Sequence, residues 1–588
     1  SADTDEIKKA ADELLSEALN KEETKEPDLV NATRITLSDQ NIDVSGEGVK
    51  VADGEISIVK GGTYLITGTL SDGNVVVNAP DEEVVLVLDQ AEITSSDTSA
   101  LYVYESEETT VYLAEGCTNT LTDAASYSYD GEYASEDDDE PNACVYSKSD
   151  LVIAGKGTLT VKANYKNGIT GKDDLVIENA TVTVDAVNHG VTGKDSCIVK
   201  NADLTITSTK DALRSSNDSD EDKGNLVVTG SGLKIDSDED GIQAENILVM
   251  HESTCDIKTH NNISDSQDDT SLKGIKGIQG IVVYSGTYRF DCEDDALHSN
   301  GVVIIEDGSY EIATGGDAIH ADDAVVVEDG NIEINECYEG IEGKTIDING
   351  GTIDITSEDD GINAADGSVS GEGGQAPFRA TEGCYVRIAG GVTSIDAKGD
   401  GVDTNGTLHV SGGELYVSGP ENDGNSALDY DGSASISGGI VAAAGYSGMA
   451  QNFGSDSTQG SIMVTFDTAL TETSEMEITL TDESGKTLLT YTPAKSYNCV
   501  VLSCPELAVG NTYTVSAGEQ SVEATMDSLI YGETKGMGGP GGMGRPEGDM
   551  EAPDGTERPE LPEGMEPPEG TERPDGTEKP NGMEPPDG

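Results

Sequence analysis

Asp317-Ala318-Ile319-His320-Ala321, then Ala324-Val325-Val326-Val327, the turn Asp329-Gly330 and Ile332-Glu333-Ile334, make one unit whose successor opens 22 residues later at Glu339-Gly340. The unit holds three short β runs separated by small or polar residues. Its anchor is a Gly or Ala between an acid or amide and an Ile, Leu or Val. Further copies are anchored at Gly168, Gly190, Ala212, Gly241, Gly274, Ala296, Gly340, Gly361, Gly401 and Ala427, with insertions at a few steps. Three strands in about 22 residues form one coil of a parallel β-helix, in which each strand pairs with its copies above and below at about 4.8 Å. A Gly or Ala anchor keeps the turn tight, and the Ile or Leu one step on points inward. Calcium β-rolls would show a shorter Gly/Asp repeat, and leucine-rich repeats a Leu/Asn spacing; neither is present.

Outward from this unit the chain of 588 residues divides into four parts. Residues 1–30 carry Ile7, Ala11, Leu14, Leu15, Ala18 and Leu19 at helical spacing, an amphipathic helix expected to cap one end of the coil stack. Residues 31–455 are the repeats. Residues 456–531 read as a small β-sandwich-like domain able to cap the other end, where open strand edges invite aggregation. Residues 532–588 repeat motifs such as Pro553-Asp554-Gly555-Thr556-Glu557, and are expected to be a disordered spacer. The expected fold is therefore all-β. Nine scattered cysteines make a poor disulfide framework and no zinc spacing; only Cys499 and Cys504 are close enough for a local bridge. In the middle strands Val227, Leu248, Val282, Val303 and Val326 are read as facing outward, an apolar stripe awaiting cover by the helix, the tail or another chain, and so a surface for self-association.

A formal charge of −81 argues against nucleic acid and anionic membrane, whose phosphates demand a basic surface. No apolar run approaches the roughly 18–20 residues that span a bilayer, as expected of a soluble chain, and the opening at Ser1 without a signal peptide fits a processed one. Trp is absent.

Aligning the copies stacks carboxylates one residue before the anchor: Asp211, Asp240, Asp295, Asp317, Glu339, Asp360 and Asp400, backed by Asp294 and Asp359. Like charges at strand spacing repel, so the ladder needs compensation. Ca²⁺, which takes six to eight oxygens, would supply it from adjacent coils. The plainer use of each Asp is to accept backbone N–H bonds in its turn. Two residues past the anchor runs a mixed polar column, Thr170, Thr192, Arg214, Gln243, Lys276, His298, His320, Glu342, Asn363, Asp403 and Asp429, offering hydrogen bonds to a sugar polymer. Arg214, Lys210, Lys273 and Lys276 make it locally basic. His298 and His320 fall in consecutive coils, as stacked metal ligands or as solvated surface side chains. Insertions at 123–142 and 257–272 supply walls, and Tyr127, Tyr129 and Tyr133 of the first are placed to stack on sugar rings.

The units Asp359-Asp360-Gly361-Ile362-Asn363-Ala364 and Asn349-Gly350-Gly351-Thr352-Ile353 resemble those of a secreted bacterial carbohydrate-binding β-helix family, over most of residues 30–530. The resemblance implies a right-handed parallel β-helix related to pectate lyases, calcium as cofactor, and binding of cellulose or polygalacturonate outside the cell or at its surface. It leaves two function classes. One is a noncatalytic, calcium-dependent polysaccharide-binding protein, with no catalytic residues. The other is a polysaccharide lyase, in which Ca²⁺ acidifies the proton α to a uronate carboxylate and Arg214 or Lys210 removes it. Scarce basic residues and the lack of a recurring acid/base pair favour binding. A structural adhesin or filament protein is a third reading, suggested by the spacer tail and the apolar stripe.

Overall fold

The computed structural model describes residues 4–261, 271–366, 380–472, 476–532 and 534. The middle of the 257–272 insertion and nearly all of the 532–588 segment lie outside the described residues.

The repeat anchors stack as the sequence spacing requires. In the strand after the anchor, Leu213, Ile242, Ile275, Leu297, Ile319, Ile341, Ile362 and Val402 pair in parallel, each beside the next, and all are fully buried. The third strands of the coils stack likewise through Ile235, Ile257, Phe290, Ile312, Ile334 and Ile355. These columns fill one continuous apolar core, and backbone N–H and C=O groups are satisfied from coil to coil. A Cβ at Gly361 would fall 2.3 Å from Ile395 Cγ2 and 2.6 Å from the Gly401 carbonyl, so this anchor is held to glycine, while coils with more room accept the single methyl of Ala212, Ala296 or Ala318.

The middle strands correct the assigned phase. Val227, Val249, Val282, Ile304 and Val326 pair along the outer face, whereas Leu248 and Val303 point into the core. A strand apolar on both faces has no alternation to reveal its phase, and the neighbouring coils set it.

The helix Thr4–Asn20 lies across this outer stripe rather than over an open end. Its Ile7, Ala11, Leu15 and Ala18 pack on Val227, Val249, Val282, Val302 and Ile304. Tyr284 donates to Asp12, and Lys200 donates to the carbonyls of Leu19 and Lys21, tying down the helix and the chain that leaves it. The stripe is thereby covered where the helix runs, and the surface expected for self-association is occupied by the chain itself.

Hairpins cover the first coil: Thr33–Leu37 pairs antiparallel with Asp43–Ser45, and Val49–Ala52 with Glu55–Ile58. At the far end Tyr497–Ser503 runs antiparallel to both Ile440–Gly445 and Ser461–Leu470. A four-stranded antiparallel sheet, Ile478–Asp482, Thr487–Tyr491, Thr512–Ala517 and Gln520–Thr525, packs beside it around a second core. No Cys499–Cys504 bridge forms. Cys499, inside the strand Tyr497–Ser503, belongs to the β-helix core, and Cys504, one residue past its end, to the second core.

Candidate functional site

Two adjacent columns of polar side chains run along one face of the stack. The outer column pairs in register from Thr170 through Thr192, Arg214, Gln243, Lys276, His298, His320, Glu342 and Asn363 to Asp403. The same register continues backward to Tyr146 and Tyr102. The inner column is the acidic ladder, and residues three apart meet across the two, as Asp211 with Arg214 and Asp295 with His298.

Each ladder aspartate divides its oxygens. One accepts a backbone N–H from the next coil: Asp240 Oδ1 from Lys273 at 2.8 Å, Asp295 Oδ1 from Asp317 at 2.8 Å, Asp317 Oδ1 from Glu339 at 3.0 Å and Asp360 Oδ1 from Asp400 at 2.6 Å. Asp211 and Asp400 do the same toward Asp240 and Ser426. The capping use is thus real, but it links successive coils rather than closing each Asp's own turn. The second oxygen remains for a cation.

What meets that oxygen differs along the ladder. In the first half it is a protein cation. Asp211 Oδ2 lies 3.2 Å from Arg214 Nη1 and 3.3 Å from His189 Nδ1. Lys276 Nζ is 3.6 Å from Asp240. Lys273 occupies the inner column itself, interrupting it, and its Nζ sits 2.8 Å from Asp294 and 2.9 Å from Asp295. Burial alone would raise the Asp211 and Asp295 carboxyls, yet their histidine and basic partners hold both below the usual carboxylate range.

In the second half no such cation arrives. Among the described residues, no Lys, Arg or His forms an ion pair with Glu339, Asp360, Asp400 or Asp403. Burial, with repulsion from neighbouring carboxylates, pushes Asp360 up to about 6 and Glu339, Asp400 and Asp403 up to about 8. Oxygens of Asp360, Asp400 and Asp403 converge within 4.8 Å of one another. Asn363 Oδ1, one coil before Asp403 in the outer column, is buried without a hydrogen-bond partner. Beside them a Cβ at Gly399 would fall 2.4 Å from Asp359 Oδ1 and Asp360 Oδ1, so only a glycine leaves this space open. This all-oxygen donor set fits a hard divalent cation. The repeat spacing puts Asp403 in the outer column, outside the carboxylate ladder expected to ligate. An acid two past the anchor, in a coil already bearing Asp400, is the signal that finds it.

Three further groups combine imidazole with carboxylate: Asp295, His298 and His320; Asp317, His320 and Glu342; and His189, Asp211 and Glu239. The structure therefore contains acidic and histidine clusters able to chelate a divalent cation. His298 and His320 are stacked at 4.7 Å between ring centroids and only 13% and 20% exposed, not solvated surface residues. Burial would lower His320, but its hydrogen bonds to Asp317 and Glu342 push it up to about 11.

The tyrosines of the 123–142 loop are drawn together differently from expectation. Tyr127 donates to Asp123 and packs on Tyr165 at 4.6 Å; Tyr129 donates to Asp139; Tyr133 lies 4.8 Å from Tyr104. All three are half-buried, with the hydroxyls of Tyr127 and Tyr129 spent on carboxylates.

A family model described as carbohydrate-binding domain-containing protein matches residues 52–318 and 316–535. The chain belongs to this family. Within it, a carbohydrate-binding domain-containing protein of Acetivibrio thermocellus is 39% identical over 158 residues, 27% of this chain and 54% of that protein. The match thus spans about half of that relative's length. Among solved structures, a polysaccharide lyase-like protein from C. thermocellum, determined as a gadolinium derivative, is similar at 28% identity and a TM-score of 0.36, over 42% of this chain and 96% of the other. The carbohydrate-binding family now stands beside a fold whose conspicuous polar face is a two-column ladder of charged side chains.

Proposed function

We propose that this member of the carbohydrate-binding family is a noncatalytic, calcium-dependent polysaccharide-binding protein acting outside the cell, with an acidic, polygalacturonate-like glycan as its ligand. The observation that carries the reading is the cluster of Asp360, Asp400 and Asp403, three half-buried carboxylates with no protein cation among the described residues. Ca²⁺ held there supplies positive charge with coordination positions for a uronate carboxylate, on a protein whose net charge of −81 otherwise repels one. Lys276 and Arg214, on the same face, present cationic donors to further carboxylates along the polymer.

Their pairing also supports binding over lyase chemistry. Arg214 is engaged by Asp211 and Thr192, and Lys210 by Glu239 at 2.9 Å. Each would-be base is thus already committed to an ion pair with a carboxylate of the face. A cellulosic glycan would dock differently, at the tyrosine loop and without need of calcium.

The test is a pull-down on polygalacturonate in millimolar Ca²⁺, in chelator, and on the methyl-esterified polymer, with product absorbance followed in parallel. Retention is expected only with Ca²⁺ and free carboxylates, without accumulation of unsaturated product. Unchanged retention in chelator would overturn the calcium bridge, and unsaturated product would overturn the noncatalytic reading.

A further inference from the structure

The ladder face carries a second donor set whose chemistry differs from that of the oxygen cluster. His298 and His320 stand in consecutive coils of the outer column, and their rings stack at 4.7 Å and 24°. Both are oriented by the ladder: His298 Nδ1 lies 2.8 Å from Asp295 Oδ2, and His320 Nδ1 lies 3.2 Å from Asp317 Oδ2 and 2.7 Å from Glu342 Oε2. Asp322 Oδ1 is 3.2 Å from His320 Nε2 at the open side. The ligand atoms of Asp295, His298 and His320 fall within 4.8 Å of one another, and those of Asp317, His320 and Glu342 do the same around the shared imidazole.

We infer that His298 and His320, with carboxylates from Asp295, Asp317 and Glu342, form a binding site for a divalent transition metal of the imidazole-preferring class, with Zn²⁺ as its representative. Ca²⁺ and Mg²⁺ take oxygen donors, whereas two imidazoles with carboxylates suit Zn²⁺, Co²⁺, Ni²⁺ or Cu²⁺. A tetrahedral Zn²⁺ with bonds of about 2.0–2.1 Å needs ligand atoms about 3.3 Å apart. The side chains must therefore draw in by roughly 1 Å, within reach of χ rotations at a part-buried surface. Lys273 already pairs with Asp295, so the negative charge left for a dication lies on Asp317 and Glu342. The inference does not depend on the calcium reading, because the residues are different.

The experiment uses the full chain in millimolar Ca²⁺, so that the all-oxygen sites are filled, titrated with ZnCl₂ by calorimetry and with CoCl₂ by visible absorption. One equivalent of Zn²⁺ and intense tetrahedral Co²⁺ bands are expected. H298N combined with H320N should weaken Zn²⁺ binding at least about tenfold, while D400N combined with D403N should leave it unchanged. The Asn substitutions respect the fold, since Gln243 and Asn363 occupy the same column. Should the double variant misfold, electron paramagnetic resonance of the Cu²⁺-loaded native chain supplies the readout, with hyperfine coupling from two nitrogens expected. Absence of Zn²⁺ uptake, uptake unchanged in H298N/H320N, or a Cu²⁺ spectrum without nitrogen coupling would each show an adventitious ion only or none, and overturn the inference.

Discussion

At the scale of single residues, the ladder is a set of buried charges whose neighbours decide their cost. Asp400 and Asp403 are pushed up to about 8 and Asp360 to about 6, against about 3.9 for an Asp in the unfolded chain. Between about pH 4 and pH 8 the folded state therefore binds more protons than the unfolded one. The stability these groups contribute is complete below pH 4 and is lost as pH rises through 8. In chelator the melting temperature should fall from pH 5 to pH 8, and Asp403→Asn should flatten that fall. Ca²⁺, which binds the ionised carboxylates, should restore stability most at pH 8. A melt whose pH slope is the same in native and Asp403→Asn protein would contradict the assignment. In the first half of the ladder the cation is covalently part of the chain. Lys276→Met leaves Asp240 buried beside Asp211 without its nearest cation, which should cost about 3–5 kcal/mol in denaturant unfolding. Asp240→Asn made together with it should recover most of the loss.

At the scale of elements, the helix Thr4–Asn20 is held by an apolar stripe whose middle is deliberately shallow. A Cβ at Gly280 would fall 2.6 Å from Ile7 Cγ2, so this strand position has room for the helix only as glycine. Gly280→Val should overpack the contact by about 1–3 kcal/mol and lift the helix, read as increased binding of a hydrophobic dye and faster amide exchange over residues 4–20. Normal dye binding and exchange would show that the helix tolerates displacement. The amphipathic pattern of residues 3–24 made the helix legible, because Ile7, Ala11, Leu15 and Ala18 recur at helical spacing. Its destination was not legible, since a stripe of apolar side chains names no partner. The middle strands show the same limit: Val249 and Ile304 exchange places with Leu248 and Val303 because a run of consecutive apolar residues carries no phase.

At the scale of the whole molecule, net charge and calcium are linked. Self-repulsion at −81 is strongest when salt is dilute, with a Debye length of about 30 Å at 0.01 M. Millimolar Ca²⁺ should raise the melting temperature more than an equal ionic strength of NaCl, because site binding adds to screening. Equal shifts for the two salts would reduce calcium to a screening ion. The 22-residue period, the Gly or Ala anchors and the inward Ile/Leu column were readable from the chain alone, because a stacked coil imposes the same steric demand at every repeat. So were the carboxylate ladder and the polar column beside it, for register copies a sequence period directly into a spatial line. Which carboxylates keep a protein cation was decided only in three dimensions. Lys273 enters the inner column, His189 reaches Asp211 from the preceding coil, and Asp403 closes on Asp360 and Asp400 across two coils. Compensation of charge depends on distances of 3 to 4 Å between side chains from different coils, and a one-dimensional repeat fixes which residues are neighbours without fixing which of their atoms meet.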